Sequence, residues 1–585
     1  MPRIAVIDRD GCLKEQCHQC IKVCPVNRLG QPCIVADEEG YPVIDENLCT
    51  GCGLCPKKCP TKVISIINLM SECGEKIHQY SINGFRLYNV PLPQKGVVGF
   101  VGRNGIGKTT GIQIISGLLV PNLGEWWITN DEEKKERIIE TFKGRELGNF
   151  FLQLHSGTGE KARGLKVAYK QQNVDALRSD VTVSVFLGVS KRLSEVLEDL
   201  NLHNILDKKM SELSGGELQL IAIAATLIQD ADIFFFDEPC SYLDVRQRLN
   251  IAKILRKLAE RARVVVIEHD LAVLDYMTDY VYLFYGEPST YGVVSNLKSS
   301  RAGINEYLDG FLREENTRIR AESILFDVRG LEVSGKSGNE IIRYSKLEKK
   351  YPGFTLKAAE GSIRDGEIIG ILGPNATGKT TFVKLLAGVE KPDIGERPTG
   401  IKVSYKPQYL RPPTGKVKDV VEEFDIDEEV FFELQRDLSL EKFLEKECAK
   451  LSGGELQRLA ITIALSQNAT FYLLDEPSAF LDIEERLVLA KVIKKRIGEG
   501  KAAFIVDHDI VFLDNISDRL IVFEGTPAVE GNASTQLPKR DGMNKFLKLI
   551  GITMRRDKDT LRPRINKPDS VLDREQKENG AYYYV

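Results

Sequence analysis

The chain has 585 residues, 42% of them hydrophobic and 28% charged, with a formal net charge of −4. This is an ordinary globular composition, roughly three or four domains at ~150 residues each, and no apolar run approaches the ~20 residues that span a bilayer. The weak negative balance confines any nucleic-acid contact to local basic patches, and the opening Met-Pro-Arg-Ile-Ala-Val-Ile-Asp reads as a strand, not a secretory apolar core, so the expected compartment is the cytosol.

Residues 1–73 carry ten of the 12 cysteines. In a cytosolic chain that packing points to metal ligation, not to disulfides. The first run is Cys12-x4-Cys17-x2-Cys20-x3-Cys24-Pro25 and the second is Cys49-x2-Cys52-x2-Cys55-x3-Cys59-Pro60. The second matches the bacterial ferredoxin run, and the first is that run with two extra residues in its first gap. In two-cluster ferredoxins the fourth cysteine of each run ligates the other cluster. The expectation is a small ferredoxin-like α+β domain with two [4Fe–4S] clusters. One would be held by Cys12, Cys17, Cys20 and Cys59, the other by Cys49, Cys52, Cys55 and Cys24. The alternative is a pair of zinc sites, but zinc takes two Cys-x2-Cys pairs and not triplets followed by Cys-Pro. Cys33, Cys73, Cys240 and Cys448 read as buried structural thiols.

A first repeat is expected over 74–300. The apolar strand Gly96 to Val101 runs into Gly102-Arg-Asn-Gly-Ile-Gly-Lys-Thr109, a G-x-x-x-x-G-K-[ST] phosphate loop opening a helix. Its glycines let backbone N–H groups curl around phosphates, and the helix N-terminus favours negative charge. Lys108 would reach the β/γ oxygens and Thr109 a Mg²⁺ ion. Then follow Tyr169-Lys-Gln-Gln172, Leu213-Ser-Gly-Gly-Glu-Leu-Gln219, Ile233-Phe-Phe-Phe-Asp-Glu-Pro239, Ser241-Tyr-Leu-Asp244 and Ile267-Glu-His-Asp270.

After a hinge at 301–325, a second repeat over 326–535 carries the same series in the same order. Glu367 to Leu372 leads into Gly373-Pro-Asn-Ala-Thr-Gly-Lys-Thr380, with Lys379 and Thr380 in the roles of Lys108 and Thr109. Next come Tyr405-Lys-Pro-Gln408, Leu451-Ser-Gly-Gly-Glu-Leu-Gln457, Tyr472-Leu-Leu-Asp-Glu-Pro477, Ala479-Phe-Leu-Asp482 and Val506-Asp-His-Asp509. Lys108 and Lys379 lie 271 apart but Gln172 and Gln408 only 236, so about 35 residues are extra in the first repeat. They are placed at 131–163: an amphipathic stretch from Glu132 to Phe142, a Gly-Arg-Glu-Leu-Gly break, an apolar stretch from Asn149 to Leu154 and a Gly-rich exit. This reads as a helix–loop–helix in one repeat only, either inert or a docking element. Within the tail at 536–585, Lys539 to Lys567 holds ten Lys/Arg against three Asp. That patch suits packing against an acidic surface, contact with RNA phosphate, or both. Asp573 to Gly580 reads as a frayed end.

From about residue 75 to 535 the motifs resemble the ATP-binding-cassette (ABC) superfamily. That implies an α/β architecture of two P-loop ABC-type nucleotide-binding domains in one chain, behind the iron–sulfur domain. It also implies head-to-tail closure on two ATP molecules. One site would combine Lys108, Thr109, Gln172, Asp237, Glu238 and His269 with Ser452 and Gly454. The other would combine Lys379, Thr380, Gln408, Asp475, Glu476 and His508 with Ser214 and Gly216. Gly102, Asn104, Gly105, Gly107 and Thr110, with Gly373, Asn375, Gly378 and Thr381, line the phosphate cradles; Asp244 and Asp482 join them. Asp237 and Asp475, with Thr109, Gln172, Thr380 and Gln408, are the implied Mg²⁺ ligands. Glu238 and Glu476 would orient or deprotonate the attacking water, and His269 and His508 would polarise the γ-phosphate. In the first repeat Gln171-Gln172 replaces Pro-Gln, so the glutamine rests on register. Tyr80, Phe85, Tyr344 and Phe354 are candidates for adenine stacking, with core packing as the even alternative.

Eight ordered cysteines, twin full cassettes, a one-sided insertion and two hinge segments resemble subfamily E of the ABC proteins, the ribosome-recycling or RNase L inhibitor family. The resemblance implies a cytoplasmic monomer with intramolecular cassette pairing that splits ribosomes after termination or rescue. The implied partners are the small subunit and its rRNA, a release or rescue factor, and initiation factors, with no membrane. The clusters would act as a rigid lever. Two rival readings are an ATP-coupled iron–sulfur electron-transfer enzyme and an ABC ATPase acting on DNA. A transporter subunit fits less well, because that class has no need of the cysteine domain. Because the insertion and the cluster domain both sit beside the first repeat, the two sites are expected to contribute unequally to turnover.

Overall fold

The computed structural model describes residues 3–9, 11–68, 73–155, 164–326, 339–498 and 500–584. The end of the expected insertion, 156–163, and residues 327–338 near the start of the second repeat lie outside them. The chain divides into two compact units. The first comprises Met1–Pro239, Leu255–Glu268 and Thr278–Glu322; the second comprises Cys240–Ile254, His269–Met277 and Ser323–Val585. Among the described residues no helix is long and apolar enough to cross a membrane.

The first unit begins with a small cysteine-rich layer. Strand Arg3–Ile7 pairs antiparallel with Ile64–Asn68, joining its two ends. A hairpin of Ile34–Ala36 with Pro42–Ile44 and the short helices Gln19–Val23 and Leu54–Lys58 lie between. Ala5, Ile7, Ile34, Ile44 and Ile64 form its core together with Cys20, Cys24 and Cys55. This layer is bound to the rest of the unit by buried polar contacts. Arg86 makes a two-pronged ion pair with Glu46, at 2.6 and 3.1 Å. The Asn83 amide donates to the carbonyls of Ala5 and Ile44 and accepts from the Ile44 N–H.

Behind it lies a nine-stranded sheet. Val167–Lys170, at one edge, Ile233–Asp237, Arg263–Ile267, Val97–Val101 and Tyr280–Glu287 run parallel in that order. Their near-continuous apolar runs are what a sheet covered on both faces requires. Tyr291–Val294, Arg86–Tyr88 and Lys76–Gln79 extend one side with antiparallel turns of direction. The second unit repeats this strand order, with Val403–Lys406, at the edge, Phe471–Asp475, Ala502–Val506, Ile368–Leu372 and Arg519–Glu524 as the parallel set.

In three stretches the structure adds to or departs from the sequence-based expectation. The insertion forms helices Asp131–Thr141 and Glu146–His155, so the second helix starts inside the expected break. Gly148 is a close-approach residue there: a Cβ would meet the Phe142 carbonyl oxygen at 2.2 Å. The two helices are no detached arm, because Ile138, Phe142, Phe150 and Phe151 belong to the main core of the unit. Second, the hinge is folded. Helix Ser300–Asp309 ends at Gly310 (φ 77°), and the buried Lys298 ammonium meets Glu306, Glu314 and Glu315 at 3.0–3.3 Å. Third, the expected frayed end is a helix, Val571–Glu578, capped by Ser570. Asp573 accepts from Thr553 at 2.6 Å and Gln576 donates to the Met554 carbonyl, so the polar residues are interior partners and not a solvated tail.

Candidate nucleotide and cluster sites

Both phosphate loops sit where a central parallel strand meets a helix. Lys108 opens helix Lys108–Ile115, and its ammonium donates to the carbonyls of Gly102 and Arg103 at 2.7 and 2.8 Å. Lys379 opens helix Lys379–Ala387 and donates to Gly373 and Pro374 at 2.9 and 2.7 Å. Each lysine thus arches over its own loop. Gly107 (φ 100°) and Gly378 (φ 91°) have left-handed backbones, and a Cβ on either would strike Phe85 or Phe354 at 2.7 and 3.0 Å. Asn104, Gly105, Thr110, Asn375 and Thr381 lie on the same loops and first turns. Where the first loop has Gly105, the second keeps a left-handed backbone with Ala376 (φ 58°).

At the ends of the neighbouring strands stand the acidic pairs. Thr109 donates to the Asp237 carboxylate at 3.2 Å, while Thr380 donates to Gln408 Oε1 at 3.3 Å. Gln172 and Gln408 each donate to the following glutamate, Glu238 or Glu476, at 2.7 Å. The register assignment of Gln172 therefore lands it where Gln408 stands. Burial, and then the adjacent glutamate charge, pushes the carboxyls of Asp237 and Asp475 up to about 6. Neither Asp475 oxygen has a hydrogen-bond donor among the described residues. Fully buried and orphaned, this carboxylate suits a hard cation, and the surrounding hydroxyl and amide oxygens fit Mg²⁺. His508 Nε2 lies 3.3 Å from Glu476 Oε1. Burial works against the Glu476 charge, but His508, Lys379 and Lys406 together hold its carboxyl below the usual range. His269, in the second unit, is likewise buried, and its carbonyl accepts from Arg486 at 3.4 Å.

Ser214 and Ser452 are exposed N-caps of helices Gly215–Leu227 and Gly453–Ser466. Each closes a capping box with the glutamate three residues on, which fixes the helix start and leaves Gly216 and Gly454 N–H groups at a positive dipole end. Asp482 caps helix Ile483–Arg496. Within the second unit, the Asn375 N–H donates to the Asp244 carboxylate at 2.8 Å, and the Asn375 amide donates to the Tyr242 carbonyl at 3.3 Å.

The aromatic assignments need one correction. Tyr80 is half exposed, donor or acceptor to Thr110 at 3.2 Å, and 6.5 Å from Phe85. Tyr344 is 2% exposed and packs edge-on against Phe382 and Phe504, so it is a core residue with no face for a base. Tyr351 occupies the place equivalent to Tyr80, at the end of strand Leu347–Tyr351 and stacked beside Phe354. Spacing to Phe354 across a hairpin would have found it; aromatic type alone did not.

Lys170, Lys406, Gln219 and Gln457 are further participants, quoted within the motifs but given no role there. The two lysine ammoniums donate to the backbone carbonyls of the aspartate–glutamate pairs, and the two glutamine amides to those of the glutamates. The repetition of Tyr-Lys-x-Gln and of Glu-Leu-Gln in both repeats was the available signal.

In the cysteine layer, Cys12, Cys17, Cys20 and Cys59 line one cavity with Leu13, Pro42, Val63 and Ile64. Burial, with Cys12 and Cys59 nearby, pushes the Cys20 thiol up to about 11. Burial, with Cys49, Cys52 and Cys20, pushes Cys55 up to about 12. Cys33 is raised to about 12 by burial and by Cys24, and it also feels Cys49. Cys59 therefore stands with the first run, and Cys33 lies within electrostatic reach of both Cys24 and Cys49. Four thiols around one small cavity, which Lys14, His18 and Thr61 also line, fit an iron–sulfur cluster, whose sulfur ligands surround a volume.

Residues 86–241 and 356–479 match the ABC transporter family, and residues 42–65 match the 4Fe-4S binding domain family. An uncharacterized ABC transporter ATP-binding protein of Methanocaldococcus jannaschii is 50% identical over 100% of this chain and 98% of its own. Translation initiation factor RLI1 of Chaetomium thermophilum is 43% identical over 100% and 98%. Among solved structures, a model of ribosome-bound archaeal Pelota and ABCE1 aligns with a TM-score of 0.91 at 44% identity, covering 100% of this chain and 99% of the other.

Proposed function

Because the chain belongs to subfamily E of the ABC proteins, the RNase L inhibitor family of ribosome-recycling factors, we propose that its paired sites act as an ATP-driven clamp on the small ribosomal subunit. The protein is an ATPase with two cassettes and a 4Fe–4S domain, and its function is ATP-driven ribosome recycling linked to initiation. The observation that carries the clamp is the duplicate hold on the glutamate: Gln172 and Gln408 grip Glu238 and Glu476 at the same 2.7 Å. Both repeats keep the full series of motif residues.

In this reading Lys108 and Lys379 swing from their loop carbonyls to the β/γ-phosphates, and the loop N–H groups hold those phosphates in place. Thr109, Gln172 and Asp237 on one side, and Thr380, Gln408 and Asp475 on the other, hold Mg²⁺, which supplies neutralisation of the charge developing on the transferred phosphoryl group. Glu238 and Glu476 orient the attacking water, and His269 and His508 polarise the γ-phosphate. Ser452 and Gly454 complete the Lys108 site, and Ser214 and Gly216 the Lys379 site, so the γ-phosphate glues the closed state and its loss releases it. Tyr80 with Phe85, and Tyr351 with Phe354, form the platforms for adenine.

Two [4Fe–4S] clusters in crossed ligation, from Cys12, Cys17, Cys20 and Cys59 and from Cys49, Cys52, Cys55 and Cys24, make the N-terminal layer a rigid lever in a cytoplasmic monomer. The lever reaches the bound release or rescue factor, and the post-splitting complex meets initiation factors. Arg540, Lys548, Lys558 and Lys567 remain exposed in the basic tail and suit rRNA phosphate. The full-length relatives do not favour the electron-transfer or DNA readings.

The test is co-sedimentation of anaerobically purified protein with ribosomal subunits, with and without a non-hydrolysable ATP analogue. Analogue-dependent association with the small subunit is expected. Absence of association with either subunit under every nucleotide would sink the clamp.

A further inference from the structure

Glu238 and Glu476 both have left-handed backbones, with φ of 47° and 49°. That conformation is strained for a non-glycine residue and persists only where the surroundings hold it. Here three elements do so in each cassette. The glutamate N–H donates to the next strand, to Ile267 at 3.0 Å or Val506 at 2.8 Å. The carboxylate takes the amide of Gln172 or Gln408. The carbonyl takes the amide of Gln219 at 2.7 Å or Gln457 at 2.6 Å, with Lys170 or Lys406 behind it at 3.3 or 3.1 Å. Gln219 and Gln457 are 0% and 1% exposed, so these bonds are shielded from water.

The two glutamines differ from the other holders in where they stand. Gln219 lies on helix Gly215–Leu227, whose N-cap is Ser214; Gln457 lies on Gly453–Ser466, whose N-cap is Ser452. Five residues, about 7.5 Å of helix rise, separate cap and glutamine on one rigid element. On the composite-site reading above, on which this inference rests, Ser214 faces the nucleotide of the Lys379 site while Gln219 grips the glutamate of the Lys108 site. We propose that Gln219 and Gln457 are positioning residues that relay nucleotide capture at one ATP site to the catalytic glutamate of the other. When a γ-phosphate draws the cap of a signature helix, the glutamine on that helix re-seats the glutamate carbonyl, and with it the carboxylate that aims the water.

The test uses the full-length holoprotein. In a Glu476→Gln background, ATP turnover reports Glu238 alone. Gln219→Met keeps the side-chain length and removes the donor. The expected result is a fall in kcat of at least ~10-fold, the scale of a small misplacement of a catalytic group, with ATP KM and thermal midpoint kept. An unchanged kcat overturns the proposal. So does a joint loss of kcat, nucleotide affinity and thermal midpoint, which marks a merely structural bond. A double-mutant cycle of Ser214→Arg with Gln219→Met then reads the relay. Non-additive effects on Glu238-site turnover support it, and additive effects overturn it. The mirror pair, Gln457→Met in a Glu238→Gln background, gives an independent reading if Gln219→Met does not fold. If the composite sites themselves are wrong, Ser214→Arg leaves hydrolysis at Glu476 intact, a result separable from the behaviour of either glutamine.

Discussion

Tyr344 ends a strand of a separate two-stranded sheet and Tyr351 ends the edge strand of the nine-stranded one, yet only seven residues apart one is enclosed and the other stacks beside Phe354. Truncating Tyr344 opens a hole among Phe382 and Phe504, so Tyr344→Ala should cost about 3 kcal/mol and lower the thermal midpoint. Tyr351→Ala should leave that midpoint nearly unchanged and raise ATP KM about tenfold at the second site, the worth of one stacked base. Equal KM effects from the two substitutions would return Tyr344 to the site. His78 supplies a second test at this scale. It is 5% exposed, meets Tyr80 edge-on at 4.7 Å, and neither ring nitrogen has a hydrogen-bond partner among the described residues. Burial, with some help from Lys134, lowers its pKa from 6.5 to about 4. The folded protein then binds fewer protons than the unfolded chain between those values. Its contribution, about 3 kcal/mol, is complete above pH 6.5 and is lost as pH falls toward 4. His78→Phe should flatten the thermal midpoint against pH between 5 and 6.5; an unaltered slope would contradict the assignment.

Elements that looked peripheral are built into the packed interior. The basic tail is largely consumed in pairing within the second unit. Arg564 makes a two-pronged contact with Asp275 at 2.6 and 3.1 Å, and Arg562 reaches the same carboxylate at 3.2 Å. Arg556 lies 3.5 Å from Asp514, which also accepts from Tyr583. Asp275 and Asp514 stand at matching places on the helices that follow His269 and His508, so the tail ties down both helices. Removing one partner of a buried charge group leaves the others uncompensated. Asp275→Ala should therefore destabilise by about 3 kcal/mol, with Arg562 and Arg564 left buried, whereas Lys558→Ala, at an exposed tail position, should have little effect on thermal midpoint. A tail without this clamp would show no difference between the two.

At the scale of the whole molecule the two repeats share one strand order and the same glutamine and lysine holds on the glutamate, but not one environment. The cluster layer, joined through Glu46–Arg86 and Asn83, and the helix–loop–helix both belong to the first unit. The sites differ inwardly too, since Thr109 bonds Asp237 where Thr380 bonds Gln408. Glu238→Gln and Glu476→Gln made singly should therefore change ATP turnover by different factors. Factors agreeing within about twofold would argue that both sites work alike despite these surroundings.

Much of the protein was settled by the order of its residues. Phosphate loops, signatures and cysteine runs are local chemistry: their ligand atoms come from short stretches with required spacing, so Lys108, Ser214 or the Cys49–Cys59 run can be read without a fold. The duplication of the cassette followed from the same repetition, while its strand order came from the structure. What required tertiary structure was every choice that depends on distant neighbours. Tyr344 and Tyr351 differ only in what covers them. Gly148 reads as a helix break until the Phe142 carbonyl is seen against it. Asp573 and Gln576 read as solvated until Thr553 and Met554 meet them. Gln219 acquires its partner, the carbonyl of Glu238, only because helix and strand ends converge. Periodicity and composition record what a residue is; burial and hydrogen-bond partners arise from chain segments far apart in sequence, and in this protein they decided which polar side chains face a ligand and which hold the machinery in place.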